Sequence, residues 1–159
     1  ITVTTTDDAL AARIEPFAPA PSRRLVALEK LAGAGLFSGV LLMPVLPFLE
    51  DSDENVLSVV EKAAKTGARF IYPAFGVTMR QGQREYFLDA LERAFPGQGL
   101  KGRYLGQYGD RYQCASPRAR RLWRVFTEAC QAWGILYDMK SIIRAATLSH
   151  GDRQLTFFD

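Results

Sequence analysis

The sequence predicts an α/β fold of parallel strands with helices packed outside them, and three observations carry that expectation. Short β-branched or continuous apolar runs recur at residues 1–5, 39–43 and 70–75. Segments of helical length, with apolar side chains every third or fourth place, separate them. The strand starts lie roughly 30–40 residues apart, the size of a strand–helix–strand unit.

Each element follows from local chemistry. Residues 1–5 are β-branched and open without a methionine, a cap or a turn, so the protein is expected to extend upstream of Ile1. Asp7 and Asp8 can cap a short helix that must stop before Pro16. Leu25, Leu28 and Leu31 mark a second helix that ends at Gly33 and Gly35. The run 39–43 is apolar throughout, as in a strand covered on both faces, and Pro44 and Pro47 end it. Asp51 and Asp53 are N-cap candidates for a helix burying Val56, Val59, Val60 and Ala63, which stops at Gly67. A third strand at 70–75 precedes a helix from about Gln83 to Phe95. Gly99, Gly102, Gly106 and Gly109 then predict a loop. Ser116 and Pro117 predict a helix start, Gly134 its end, and residues 139–146 a last short helix.

Composition narrows the classes. Of 159 residues 48% are hydrophobic and 23% charged, which excludes a disordered, collagen-like or disulfide-stapled chain. The longest apolar run, 36–49, is interrupted by Ser38, Gly39, Pro44 and Pro47, so no membrane segment and a cytoplasmic location are expected. Cys114 and Cys130 stand far apart and read as buried thiols. His150 is the single histidine, which excludes Ser-His catalysis and His-rich metal sites. The net charge of +3 is unevenly spread: residues 1–99 hold ten basic and twelve acidic side chains, and residues 100–159 hold ten and five.

Four groups of residues are chemically suggestive. Thr4, Thr6 and Asp7 fall at the C-terminal end of the first strand, where barrel-like folds place their active sites; the alternative is that the threonines are strand formers and Asp7 a helix cap. Arg103, Arg111, Arg118, Arg120, Arg121 and Arg124 interleave with Tyr104, Tyr108, Tyr112 and Trp123, a composition that suits DNA or RNA. A solvated helix face with core aromatics would give the same pattern. Glu50, Asp51, Asp53 and Glu54 could hold a cation, with helix capping as the simpler reading. Gln154, Leu155, Phe157 and Phe158 resemble the short peptides that dock on the bacterial sliding clamp, through aromatic anchors in an apolar pocket.

The pattern Thr4-Thr5-Thr6-Asp7, Glu15-Pro16, Arg23-Arg24, Gly33-Ala34-Gly35, Gly39-Val40 and Pro44-Val45-Leu46-Pro47 resembles the radical S-adenosylmethionine proteins, in particular the spore-photoproduct-lyase-like group often labelled DNA repair photolyases. The resemblance covers residues 1 to 96 and implies the C-terminal half of an incomplete βα barrel. It implies S-adenosylmethionine and a [4Fe–4S] cluster as cofactors, with Thr4, Thr6, Arg13, Gly39 and Leu41 as cofactor-binding residues. Two departures stand out. The cluster-binding Cys-x-x-x-Cys-x-x-Cys motif is absent, so the chain is expected to be a fragment that does not catalyse alone. Thr4 also occupies the position at which the lyase carries a hydrogen-donating cysteine.

These readings divide the chain into the barrel half (1–96), a basic and aromatic helical extension (97–149) and a tail (150–159). The leading expectation is part of a radical S-adenosylmethionine enzyme of nucleic-acid repair or modification, with Arg103, Tyr108, Arg111, Arg118 and Arg121 on the nucleic acid. The alternative is a non-catalytic nucleic-acid or clamp-binding module with a degenerate barrel. Open sheet edges predict that the isolated chain self-associates.

Overall fold

The computed structural model of the chain describes residues 1–150 in backbone and 1–148 in side chain. In chain order the elements are α1 (Asp8–Ile14), α2 (Pro21–Gly33), β1 (Gly39–Leu42), α3 (Asp53–Lys65), β2 (Phe70–Pro73), β3 (Gly76–Thr78), α4 (Gln83–Ala94), α5 (Leu100–Tyr108), β4 (Gln113–Ala115), α6 (Ala119–Trp133) and α7 (Met139–His150). The fold class is mixed α/β, and the sheets are small rather than closed into a barrel.

β1 and β2 pair in parallel, Gly39 against Phe70 and Leu42 against Pro73. Two single bridges extend this pair on both sides. Thr2 pairs with Leu41 and Leu136 with Phe70, both in parallel sense. Four segments therefore lie side by side in chain order, although the expected strand at 1–5 is reduced to one bridge. The Leu41 N–H donates to Ile1 O and the Val3 N–H to Leu41 O, so the Thr2 carbonyl faces the outer edge. Arg24 covers it, donating to Thr2 O at 3.2 Å.

Alternation along the strands decides which face is packed. Val3, Val40, Leu42 and Ile71 join one core with Leu25 and Leu28 of α2, Val56, Val59, Val60 and Ala63 of α3, and Leu122, Phe126 and Cys130 of α6. Three helices therefore lie on the same face of the parallel segments, with α3 packed on α6. Leu41 points the other way and is 38% exposed.

A second core forms between α4, α5 and the antiparallel pair β3–β4, from Leu88, Leu91, Phe95, Leu100, Tyr104, Tyr108 and Cys114. It corrects the loop expected between residues 97 and 116. Gly102 and Gly106 weaken helix propensity, but Leu100, Tyr104 and Tyr108 recur at i, i+4, and burying that stripe outweighs the propensity. The Tyr104 hydroxyl donates to Pro47 O at 2.9 Å and ties this core to the loop after β1. Two boundaries also move. Ser52, not Asp51 or Asp53, caps α3 by accepting the Asn55 N–H, and α6 begins at Ala119, two residues beyond Pro117. Its end agrees with expectation, at Gly134 with φ +67°.

Candidate functional site

The C-terminal edge of the parallel segments gathers polar side chains from distant parts of the chain. Glu50, only 1% exposed, accepts the Thr4 hydroxyl at 2.6 Å and the Leu46 N–H at 2.9 Å. The Asn55 amide donates to the carbonyls of Thr4 and Glu50, both at 2.8 Å. Thr6 and Ser58 share a 2.6 Å hydroxyl–hydroxyl bond. Asp51 accepts the Phe48 N–H at 2.7 Å and the Ser116 hydroxyl at 2.5 Å, and Ser116 Oγ accepts the Arg118 N–H at 3.0 Å. The first segment, the β1–α3 loop, α3 and the start of α6 are thereby joined through a few carboxylates and hydroxyls. Burial pushes the Glu50 carboxyl above its ordinary value, against the opposing pull of the Thr4 and Leu46 hydrogen bonds.

A cavity of about 400 Å³ opens at this edge, lined by Phe48, Asp51, Ser52, Arg103, Pro117 and Arg118. The Arg103 guanidinium lies 4.2 Å over the Phe48 ring. Arg118 and Arg121 both reach Asp53, at 3.1 and 2.6 Å. The hydrogen bond from Arg121, with the charges of Arg121 and Arg118, holds the Asp53 carboxyl below its ordinary value. A larger cavity, about 510 Å³, lies at the opposite edge against Gly33, Phe37, Thr66, Gly67 and Arg69. It exceeds the first in volume, as does one of about 600 Å³ beside Ile1, Phe17 and Arg23, but convergent buried polar groups and the C-terminal ends of parallel strands favour the first.

The predicted cofactor residues divide. Thr4 and Thr6 sit at the C-terminal edge, and Leu41 on the open sheet face. Gly39 begins β1 at the opposite end, where a Cβ would collide with the Phe70 carbonyl and ring, so close packing accounts for this glycine. Arg13 donates through Nε and a terminal nitrogen to Ala94 O, at 3.1 and 2.5 Å, and lies 4.1 Å over the Phe95 ring. It closes the end of α4, which is the contact the structure gives to the residue read as a partner for a ligand carboxylate. Asp7 takes the capping role, accepting from the Ala9 and Leu10 N–H groups.

The basic residues also divide. Arg103, Arg111, Arg118 and Arg121 are exposed. Tyr108 is 5% exposed, donates to Ala115 O at 2.7 Å and has its phenol pushed up to about 12 by burial, so its ring is a core element and not a surface for stacking on bases. Both thiols are buried as expected, and burial raises each, Cys130 to about 12. Among the described residues no group of three or more His, Cys, Asp or Glu side chains could hold a metal ion. No described helix is long and apolar enough to cross a membrane. Gln154, Leu155, Phe157 and Phe158 lie outside the described residues.

Sequence reasoning missed Asn55 and Ser58, took Ser116 for a helix cap only, and took Glu50 and Asp51 for cap or cation ligands. The available signal was two adjacent acids directly after an apolar, proline-bounded run. Such acids are buried if the run is, and then need donors.

Part of the chain resembles known proteins. Over 83 residues it is 35% identical to a protein of Mycobacterium tuberculosis strain H37Rv and to one of Mycobacterium bovis, both described only as uncharacterized. The aligned part is 52% of this chain and 24% of each relative, so the chain spans about a quarter of the length of the relatives it matches. No family profile matches the sequence, and no solved structure matches it.

Proposed function

We propose that residues 1–96 are the C-terminal half of an incomplete βα barrel in a radical S-adenosylmethionine protein acting on nucleic acid. The observation that supports this reading is that residues 1–96 supply three parallel segments in chain order, with helices on one face and hydroxyls at the C-terminal edge. In such a protein the first segment, β1 and β2 offer their open face to the cofactor. Leu41 suits an apolar contact there, and the Thr6 hydroxyl, shared with Ser58, suits a polar one. Thr4, Gly39 and Arg13 are engaged within the chain and are left out of the cofactor set. The described residues hold no thiolate set that fits a [4Fe–4S] cluster, so this reading requires cluster ligands from outside them. In that reading the cluster and S-adenosylmethionine would supply one-electron reductive cleavage, and this chain's own part would be to orient S-adenosylmethionine through Leu41 and Thr6.

Calorimetric titration with S-adenosylmethionine tests the reading. Thr6→Val is expected to weaken binding roughly threefold to tenfold, the worth of one hydrogen bond, with the thermal melt preserved. Equal affinity in the two proteins, or none in either, would contradict it.

A second reading is supported by the arginines at the start of α6: a non-catalytic module that binds nucleic acid there and the sliding clamp through its tail. Salt-dependent DNA binding without S-adenosylmethionine affinity favours it.

A further inference from the structure

The start of α6 runs against helix electrostatics. A helix N-terminus carries about half a positive charge and is stabilised by acidic residues. The first turn of α6 holds none, no side chain caps it, and Arg118, Arg120 and Arg121 crowd it instead. Asp53 is shared by Arg118 and Arg121, while Arg120 and Arg124 have no ion pair among the described residues. Arg103 of α5 faces the same cavity, held over Phe48. Asp51, the remaining carboxylate in the wall, has one oxygen on the Phe48 N–H and the other on the Ser116 hydroxyl. Arg103 and Arg118, from two separate elements, thus face a notch whose wall also carries the Asp51 carboxylate, Arg118 sharing Asp53 with Arg121 and Arg103 having no ion pair among the described residues.

We propose that the notch between Phe48, Ser52, Arg103, Pro117 and Arg118 is a phosphate-binding subsite at the mouth of the candidate active site. Arg103 and Arg118 grip the phosphate oxygens, and the α6 N-terminus adds its dipole. At about 400 Å³ the notch has room for a phosphate and part of the group it is attached to. The substrate named in the preceding reading makes a phosphodiester of nucleic acid the source, and that choice rests on the reading. The chemistry is equally that of a phosphorylated small molecule.

The test measures a short, labelled single-stranded oligonucleotide binding to the chain, with inorganic phosphate as a second probe. The variants are Arg103→Gln, Arg118→Gln and Arg69→Gln, the last removing a charge at the opposite edge. Unchanged thermal melts establish that each is folded. Each notch variant is expected to weaken oligonucleotide binding by about tenfold or more and to lower the salt slope by about one, while Arg69→Gln changes affinity by no more than about twofold. Equal effects of all three variants, or no binding of either probe, would overturn the subsite. Phosphate binding that depends on Arg103 and Arg118, without oligonucleotide binding, keeps the subsite and removes nucleic acid as its source. Failure of S-adenosylmethionine to bind leaves these outcomes unaffected.

Discussion

The two edges of the parallel sheet differ in what holds them. At the C-terminal edge Glu50 and Asp51 are buried and each satisfies two donors, so the β1–α3 loop is organised by charge-assisted hydrogen bonds from distant segments. At the N-terminal edge the turns run through Gly33, Gly35 and Gly67, and the nearest ion pair, Lys65 with Glu61, is an exposed pair within one helix. Of the cavities at these two edges, the larger is at the edge where the described residues form no buried polar network, the smaller at the edge with one. Cavity volume and chemical organisation thus point in opposite directions. The organised edge is the one that can hold a ligand in a defined orientation, because buried, fully paired polar groups have few alternative arrangements.

The contrast makes unequal predictions for stability. The largest effect is expected for Glu50→Ala, which leaves the Leu46 N–H and Thr4 hydroxyl without their acceptor and should lower unfolding free energy by roughly 2–4 kcal/mol in urea titration. The same carboxyl predicts a pH dependence. Its value in the folded chain is raised above the ordinary 4.5, so the folded state holds that proton more tightly than the unfolded chain does. This contribution is full below pH 4.5 and is lost as pH rises through the folded value. Glu50→Gln should therefore flatten the pH profile of stability across that window, and an unchanged slope would show that Glu50 is not its source. The smallest effect is expected at the other edge. Thr66→Ala removes only a 2.8 Å hydroxyl bond to Ala63 O at the end of α3, and should cost about 0.5 kcal/mol.

How much was legible follows from the kind of contact. The helices α1, α2, α3 and α4 and the parallel pairing of β1 with β2 come from apolar patterns that a single sequence displays, whereas the apolar run 39–43 predicted cover on both faces and Leu41 is 38% exposed on an open one. α5 was hidden because its glycines signal a turn while its support is tertiary, from Tyr104 and Tyr108 packing against Phe48 and each other. Thr4 and Thr6 were correctly placed at the C-terminal edge, because strand polarity alone determines that. Their partners Glu50 and Ser58 were not, since hydrogen bonds across 46 and 52 residues leave no local pattern. The contact of Arg13 was illegible for a related reason: which carbonyl the fold brings beside a guanidinium, here Ala94 O, leaves no local pattern.

The most direct measurement of the central claim is amide chemical-shift mapping of the chain titrated with S-adenosylmethionine and, separately, with a short single-stranded oligonucleotide. The account predicts that the first ligand perturbs residues 2–6 and 41–58, the second residues 48–53, 103 and 117–121, with residues 33–37 and 65–69 unmoved by both. Perturbations centred on Gly33, Phe37, Gly67 and Arg69 would place the functional face at the opposite edge of the sheet and contradict it.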